Sequence, residues 1–571
     1  MIVRVLFDNL IFSQRFQSVS VYSTLQLESE SVTGLYNKVI TRDYEVTGMV
    51  GRNIGLHIGT EYDVDYGYDG YGRFNSLENG DDTFTYGYLA NSNLISTLTG
   101  PNGISTTNTY ETNRNLITSI ENKYSSTSIS KYDYANDAIG RRTSMAKSGT
   151  AFAQSDNIAY GYNDRSEITS AVAANDMTYN FGFSFDNIGN RITGTESGVL
   201  RNYTSNLLNQ YTQIDNPSQS PTYDDDGDML TNGNWTYTWN AENRLSVAES
   251  STQKLEFAYD YMGRRVEKKI YDKTGSVWTL TKHLRFVYDD YKLIEELDVL
   301  NSNAILKKFI WNGDTPFSIH DTTAYTTYYY TLDVNKNISE LLDASGSVVA
   351  HYEYAPFGKL IKSSGYYAEA NYFRFSSEYY DEETGLVYYN FRYYNPSLGR
   401  WTKRDDIEER GGLNLYAMLR NDTVSLSDYL GWAPPIAPEW GQWRLKSVIV
   451  DDSMSADMVK VVYVMTANWE IKLNYKCKEC IKGKEKLVSH TKNFFESKNI
   501  DGGPWFINDP TAWPLQPITN PGGLLNAIVG AIAEKVATGV FNDLKPDMQR
   551  KALATKPKKN PEIPSDLCPD K

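Results

Sequence analysis

Residues 68–77 read Tyr-Asp-Gly-Tyr-Gly-Arg-Phe-Asn-Ser-Leu, and this phrase decides the fold because it returns along the chain. Variants are YDYANDAIGRRTSM at 132–145, FDNIGNRITG at 185–194, YDDDGDMLTN at 223–232, WNAENRLSV at 239–247 and YDYMGRRVEKK at 259–269. The shared pattern is an aromatic, Asp or Asn, two variable positions, Gly, Arg or Asn, then an aliphatic residue. Aromatic and β-branched residues suit a half-buried strand, the acid or amide can cap a turn, and Gly supplies the positive φ of a tight reversal. Each phrase therefore predicts a strand, a turn and a returning strand. Tyr88, Tyr110 and Tyr162 fill the intervals, so many steps come to roughly 20–30 residues, about one β-hairpin of a stacked array.

The alternation is explicit at 234–240, NWTYTWN, which places Trp235, Tyr237 and Trp239 on one face and Thr236 and Thr238 on the other. A single hairpin cannot bury such a face. Successive units must extend one long antiparallel sheet, and a long twisted sheet must curl or close to protect its edges. The predicted class is all-β, a spiral or closed array of β-hairpins followed by a small α+β C-terminal domain.

Composition divides the chain at a Pro-rich join, APPIAPEW at 433–440. Of 571 residues, those up to 432 hold 42 of the 44 Tyr, no Cys and a net charge of −18; the remainder holds all three Cys, 13 of 19 Pro and a net charge of +3. Such a chain is neither disordered, nor a small disulfide scaffold, nor a typical polybasic nucleic-acid binder. MIVRVLFDNLIF carries Arg4 and Asp8 inside its apolar stretch, so no secretory signal is visible, and LLNAIVGAI at 524–532 is too short to span a membrane.

The repeated phrases, together with YYYTLDVNKNISELLDASGSVVAHYEYAPFGKL, FRFSSEYYDEETGLVYYNFRYYNPSLGRW and GGLNLYAMLRND after residue 325, resemble the YD-repeat proteins: the bacterial RHS family, the C component of Tc toxins and the teneurin shell. The resemblance implies a β-shell whose RHS-associated core segment plugs one end and whose variable C-terminal region is held as cargo, in proteins that are secreted or lie at the cell surface. It divides the chain into 1–60, a repeat edge; 61–324, the YD-repeat shell; 325–432, the core segment; and 433–571, a C-terminal effector domain. On this length the chain is either a piece of a longer polypeptide or an open shell. The same resemblance brings an immunity protein or a secretion apparatus as partners. A rival class is a teneurin-like surface module that binds carbohydrate or protein and carries no toxic activity.

Many relatives place an Asp-Pro-x-Gly phrase on either side of this segment and cut themselves after the second, using the two acids. Here Asp405 takes the first acid, with Asp406 in the place of Pro and Glu408 in the place of Gly; Asp428, Leu430 and Gly431 match the second phrase, with Tyr429 in the place of Pro. By this resemblance Asp405 and Asp428 form the acid pair, Arg400 is a supporting charge, and the bond cut is Trp432–Ala433. The chemistry needs two carboxyls close enough for one to keep a proton while the other is ionised. Turn-capping acids within a purely structural plug are the alternative.

In the tail, LKSVIV, MVKVVYVM, WEIKLNY and KLVSHTKNFF read as strands, and residues 523–541 as an amphipathic helix. Cys477 and Cys480 form a lone CxxC, open to three readings: zinc with His490 and Cys568, a local disulfide, or unpaired thiols. No HExxH, P-loop or deaminase pattern occurs there. His490 with Glu496 or Asp501 is either an acid/base pair or a surface histidine with neighbours. His57, His283, His320 and His351 lack ligand spacing and read as structural, and no cofactor is implied.

Overall fold

The computed structural model describes residues 51–431 without a break, most of 16–49, residues 2 and 3, and strand backbone between 439 and 499. The predicted helix at 523–541, Cys568 and the Trp432–Ala433 bond lie outside the described residues. The chain forms two compact units, residues 1–434 and 435–571.

The first unit is built from two antiparallel meanders. Among the described residues, nineteen strands from Ile2–Val3 to Tyr211–Ile214 make one sheet and fourteen from Thr222–Tyr223 to Leu360–Ser364 make the second. Each strand pairs with its neighbours along the chain, as in Tyr62–Tyr68 with Phe74–Asn79 and Gln253–Tyr259 with Arg265–Thr274.

The repeated phrase owes its composition to one turn. Asp69 caps it: Oδ1 accepts from the backbone N–H groups of Tyr71 and Arg73, both at 2.9 Å, and Oδ2 accepts from Arg73 Nε at 2.7 Å. Gly72 sits at φ +79°, where a side chain would be strained. Asp137 with Gly140 and Arg141, and Asp260 with Gly263 and Arg264, repeat this arrangement. The arginine then reaches onward, with Arg244 donating to the Asp260 carbonyl at 3.2 Å and Arg264 to that of Asp290 at 2.7 Å. The aromatic before the turn ties neighbouring strands through its hydroxyl: Tyr68 donates to the Asn53 carbonyl, Tyr162 to Arg142 and Tyr259 to Leu245, each at 2.7 Å. The Asp and Gly thus shape the turn, while the Arg and the aromatic hydroxyl join one hairpin to the next.

The two meanders lie face to face and advance together. Glu30 pairs with Arg264, Lys38 with Glu295, Ser130 with Glu340, Lys147 with Glu353, and Lys359 with Glu196. Phe84 stacks on Phe317 with ring centroids 4.6 Å apart, and Tyr62 donates to the Phe309 carbonyl at 2.9 Å. About 170 residues of the first sheet, from Glu30 to Glu196, face only about 100 of the second, from Arg264 to Lys362. The second sheet is therefore the tighter turn of a roll. Its other face holds residues 366–401: Phe373 packs edge-on against Phe309 and Trp311, and Tyr367 meets Tyr328 at 4.2 Å. Sandwiched on both faces, strand Ile338–Leu342 is buried at every position, whereas Tyr62–Tyr68 in the first sheet alternates Tyr62 and Val64 inward with Asp63 and Asp65 outward.

Charges between the layers are matched because unpaired buried charges would oppose folding. His351 is the titratable member: Nδ1 is 3.0 Å from Glu340 and Nε2 is 3.4 Å from Glu353. Burial alone would lower its pKa, but the two carboxylates push it up to about 9. A histidine raised in this way contributes stability that is complete below its unfolded pKa near 6.5 and is lost as pH rises through about 9, a linkage worth about 3 kcal/mol. Melting temperature should therefore fall between pH 6.5 and 9.5, and His351→Gln should flatten that slope. Equal slopes in both proteins would refute the linkage.

In the second unit the longest described strands are Arg444–Asp451, Val464–Ile481 and Lys484–Asn499, the last two forming a long hairpin.

Candidate functional site

The acids singled out in the sequence come together behind a short hairpin of the core segment. Strands Leu386–Tyr389 and Arg392–Asn395 reverse through Asn390, at φ +57°, and residues 428–431 lie against the reversal. Phe391 N–H donates to the Leu430 carbonyl at 3.2 Å, and Arg392 Nε donates to that of Gly431. Gly431 takes φ +77°, and a Cβ there would stand 3.0 Å from that of Tyr389, so the retained glycine allows a close approach.

Asp428 turns back on this strand end. Its Oδ1 accepts from the N–H groups of Gly431 at 3.0 Å and Leu430 at 3.3 Å, while its Oδ2 is buried without a hydrogen-bond partner among the described residues. Asp405 Oδ2 is 2.9 Å from Arg392 Nη2, and Asp428 Oδ2 is 3.9 Å from the same nitrogen. The guanidinium is fully buried and lies 4.0 Å over the Trp401 ring. Burial pushes both carboxyls above the usual aspartate pKa, and Arg392 opposes the shift without cancelling it. One buried cation between two buried acids is neutral only when one acid keeps its proton. Two buried acids sharing one cation is the kind of arrangement in which acid–base chemistry can operate.

The surroundings of the two acids differ from those expected of the family phrase. Arg400 lies elsewhere: it donates to the Asn209 carbonyl at 2.7 Å and to Asn190 Oδ1 at 2.6 Å and stacks 3.8 Å over Tyr211. Arg392 occupies the supporting position instead. Asp406 pairs with Lys403 at 2.6 Å and is partly exposed, which leaves Asp405 as the acid facing Asp428. Glu408, standing where the family phrase has Gly, adopts φ +55°, a left-handed geometry that costs a residue with a side chain about 1 kcal/mol. Glu378 went unnoticed in the sequence; it is buried, and burial together with Asp428 raises its pKa strongly.

The core segment also reaches turns of both sheets: Asn421 Nδ2 donates to Glu167 and to the Gly189 carbonyl in the first, and Tyr416 donates to the Gly227 carbonyl in the second. His57, His283 and His320 are engaged by Asp63, Glu267 and Thr327. Cys477 and Cys480 lie within strand Val464–Ile481, paired with Val488 and Glu485. Among the described residues no group of three His, Cys, Asp or Glu side chains could hold a metal ion, and no helix is long and apolar enough to cross a membrane.

Comparison with known proteins agrees with this architecture. The chain is 29% identical over 231 residues to the tRNA nuclease WapA of Bacillus subtilis, covering 39% of this chain and 9% of that protein. It is 25% identical over 308 residues to the toxin subunit YenC1 of Yersinia entomophaga, covering 48% of this chain and 31% of the relative. It thus spans about a tenth of WapA and a third of YenC1. The crystal structure of TcdB2-TccC3 superposes on 73% of this chain and 24% of its own length with a TM-score of 0.57 at 18% identity, a likeness of fold. The teneurin YD-shell description matches residues 102–424, more than half of the molecule, and on that match the chain belongs to the teneurin YD-shell family.

Proposed function

We propose that this chain forms the closing end of a YD-repeat carrier for its own C-terminal region, and that Asp405 and Asp428 free that region by cutting between Trp432 and Ala433. On this reading residues 1–60 are the repeat edge, 61–324 the shell, 325–432 the plug and 433–571 the effector. The observation that carries it is the Asp405–Arg392–Asp428 group with Gly431 anchored to both Asp428 and Arg392. The roll adds support, since the second sheet winds around the core segment and makes a solid end. The relatives' names, a tRNA nuclease and a toxin subunit, favour a toxic cargo. An immunity protein and a secretion apparatus are the partners such a cargo would need.

The chemistry is amide hydrolysis. Asp405, held ionised by the nearer guanidinium contact, takes a proton from water as the oxygen adds to the Trp432 carbonyl carbon. Asp428 gives the proton on its unpartnered oxygen to the Ala433 nitrogen as the C–N bond breaks. The first test is the intact mass of the purified chain under denaturing conditions. A fragment of 139 residues beginning at Ala433 is the expected result. A single uncut 64.8 kDa chain would reject cleavage and leave a tethered cargo.

A further inference from the structure

The turn at 224–228 departs from the rule its neighbours keep. Where an acid caps a repeat turn, a donor four residues on faces its second oxygen: arginine at Asp69, Asp137 and Asp260, each at 2.7 Å, and asparagine at Asp186 and Asp333, each at 2.8 Å. Where the fourth residue is itself an acid, Glu167, the capping residue is Asn163, whose amide donates to it at 2.7 Å. At Asp224 and Asp228 both positions are acids. The backbone is otherwise that of the other turns, since Asp224 Oδ1 accepts from the Asp228 N–H at 2.8 Å and Gly227 takes φ +87°. Two carboxyls are thus set against each other in a slot that elsewhere holds an acceptor and a donor.

Asp228 is 1% exposed. Its charged neighbours are Asp224 and Asp226 on its own turn and Lys403 and Asp406 on the core segment, and Lys403 is already paired with Asp406 at 2.6 Å. Arg404 and Tyr416 close over Gly227 and leave no room for a Cβ there. Burial, and after it Asp224, push the Asp228 pKa up to about 7 against the pull of Lys403. A proton therefore stands in for the missing donor in acid and leaves near neutrality. The same turn fastens the second sheet to the core segment. On either side of Asp228, the Gly227 carbonyl accepts from Tyr416 at 2.8 Å and the Met229 N–H donates to the Thr402 carbonyl at 2.9 Å. Loss of the proton sets a second negative charge beside Asp224 and a rival to Asp406 for Lys403 inside this contact, and the new charge gains full hydration only if the contact opens. We infer that the Asp224–Asp228 turn is a pH-sensitive latch between the first hairpin of the second sheet and the core segment, closed in mild acid while Asp228 keeps its proton and loosened as that proton leaves. In the open state Asp228 returns to the ordinary aspartate value, so opening becomes easier as pH rises from about 4 to about 7 and changes no further above that. The inference does not rest on cleavage, because it concerns how the sheet is held.

The test is hydrogen exchange of the full chain, read by mass spectrometry between about pH 5 and about pH 8 and corrected for the intrinsic pH dependence of exchange. Peptides covering 227–231 and 402–404 are expected to lose protection about tenfold or more between about pH 5 and about pH 7, while the Asp186–Asn190 turn keeps its own. Asp228→Asn reproduces the acid–asparagine pair of that turn, so it should fold and should abolish the pH dependence. Asp224→Asn reproduces the Asn163–Glu167 pair and should weaken the dependence about threefold or more, by giving the ionised Asp228 a donor. Equal pH dependence in the parent chain and both variants would overturn the inference. So would a dependence that disappears when a chelator is added, because a metal cation and not a proton would then fill the slot.

Discussion

Asp381→Ala should leave the first unit unable to fold stably, or lower its melting temperature by many degrees. Asp381 is fully buried between the second sheet and the core segment, with Oδ2 2.5 Å from Arg265 Nη1 and Oδ1 2.7 Å from Lys268 Nζ. Burial alone would raise the pKa of such an acid, yet the two cations hold it below the usual value. Arg265 is further enclosed by the rings of Phe257, Tyr379 and Tyr388. Removing the carboxylate takes the direct partner from two buried cations at once, leaving Glu383 in contact with Lys268 and Glu296 nearby. Breaking a single buried pair costs about 3–5 kcal/mol, a large part of the 5–15 kcal/mol that usually holds a domain. Asp133→Ala, which breaks an exposed pair with Lys131, is the control and should cost less than about 1 kcal/mol. Thermal melts and limited proteolysis of the two variants decide the matter, and similar losses in both would refute the argument.

Asp428→Asn should slow processing at Trp432–Ala433 by about 10²–10⁴-fold while the unit stays folded, because general acid–base catalysis by one group is worth that much. Asparagine preserves the shape and can still accept the Gly431 N–H, so a folding defect is not expected. Asp405→Asn should act alike by removing the base. The arginines offer a sharper comparison: Arg392→Gln should impair processing, whereas Arg400→Gln should lower stability through its lost bonds to Asn190 and Asn209 and leave the cleavage rate of folded protein unchanged. Mass spectrometry over a time course measures each rate. Unchanged cleavage in both aspartate variants would remove these acids from the mechanism.

The fold was legible because its signal is local. The Asp, Gly and Arg of each phrase act within five residues of one another, so a reader of Asp69 to Arg73 sees nearly all the groups that make the turn. That Asp405 and Asp428 lie close to one another was expected from the family likeness. Arg392 was not. Arg400 stands nearer to Asp405 in sequence, but in strand Arg400–Trp401 neighbours point to opposite faces, and Trp401 takes the face toward Arg392. Arg400 is thereby turned toward Asn190 and Asn209. The pairing of Glu30 with Arg264 or Lys147 with Glu353 was beyond reach for another reason. Those partners lie 206 and 234 positions apart, at separations fixed by how tightly the sheets wind, which no single phrase encodes.

The unequal lengths of the two facing sheets bear on how such a molecule can change over evolutionary time. A hairpin inserted between residues 264 and 340 would slide the later charges of the tighter turn past their counterparts, separating Lys147 from Glu353 and Ser130 from Glu340 together. A hairpin gained ahead of residue 30 would displace none of these matches, because it lies outside the run of residues that they span. Descent with changing size is thus tolerated at one margin and resisted at the other, so related chains should differ most in the number of hairpins that precede the matched layers and least in the turns that enclose the core.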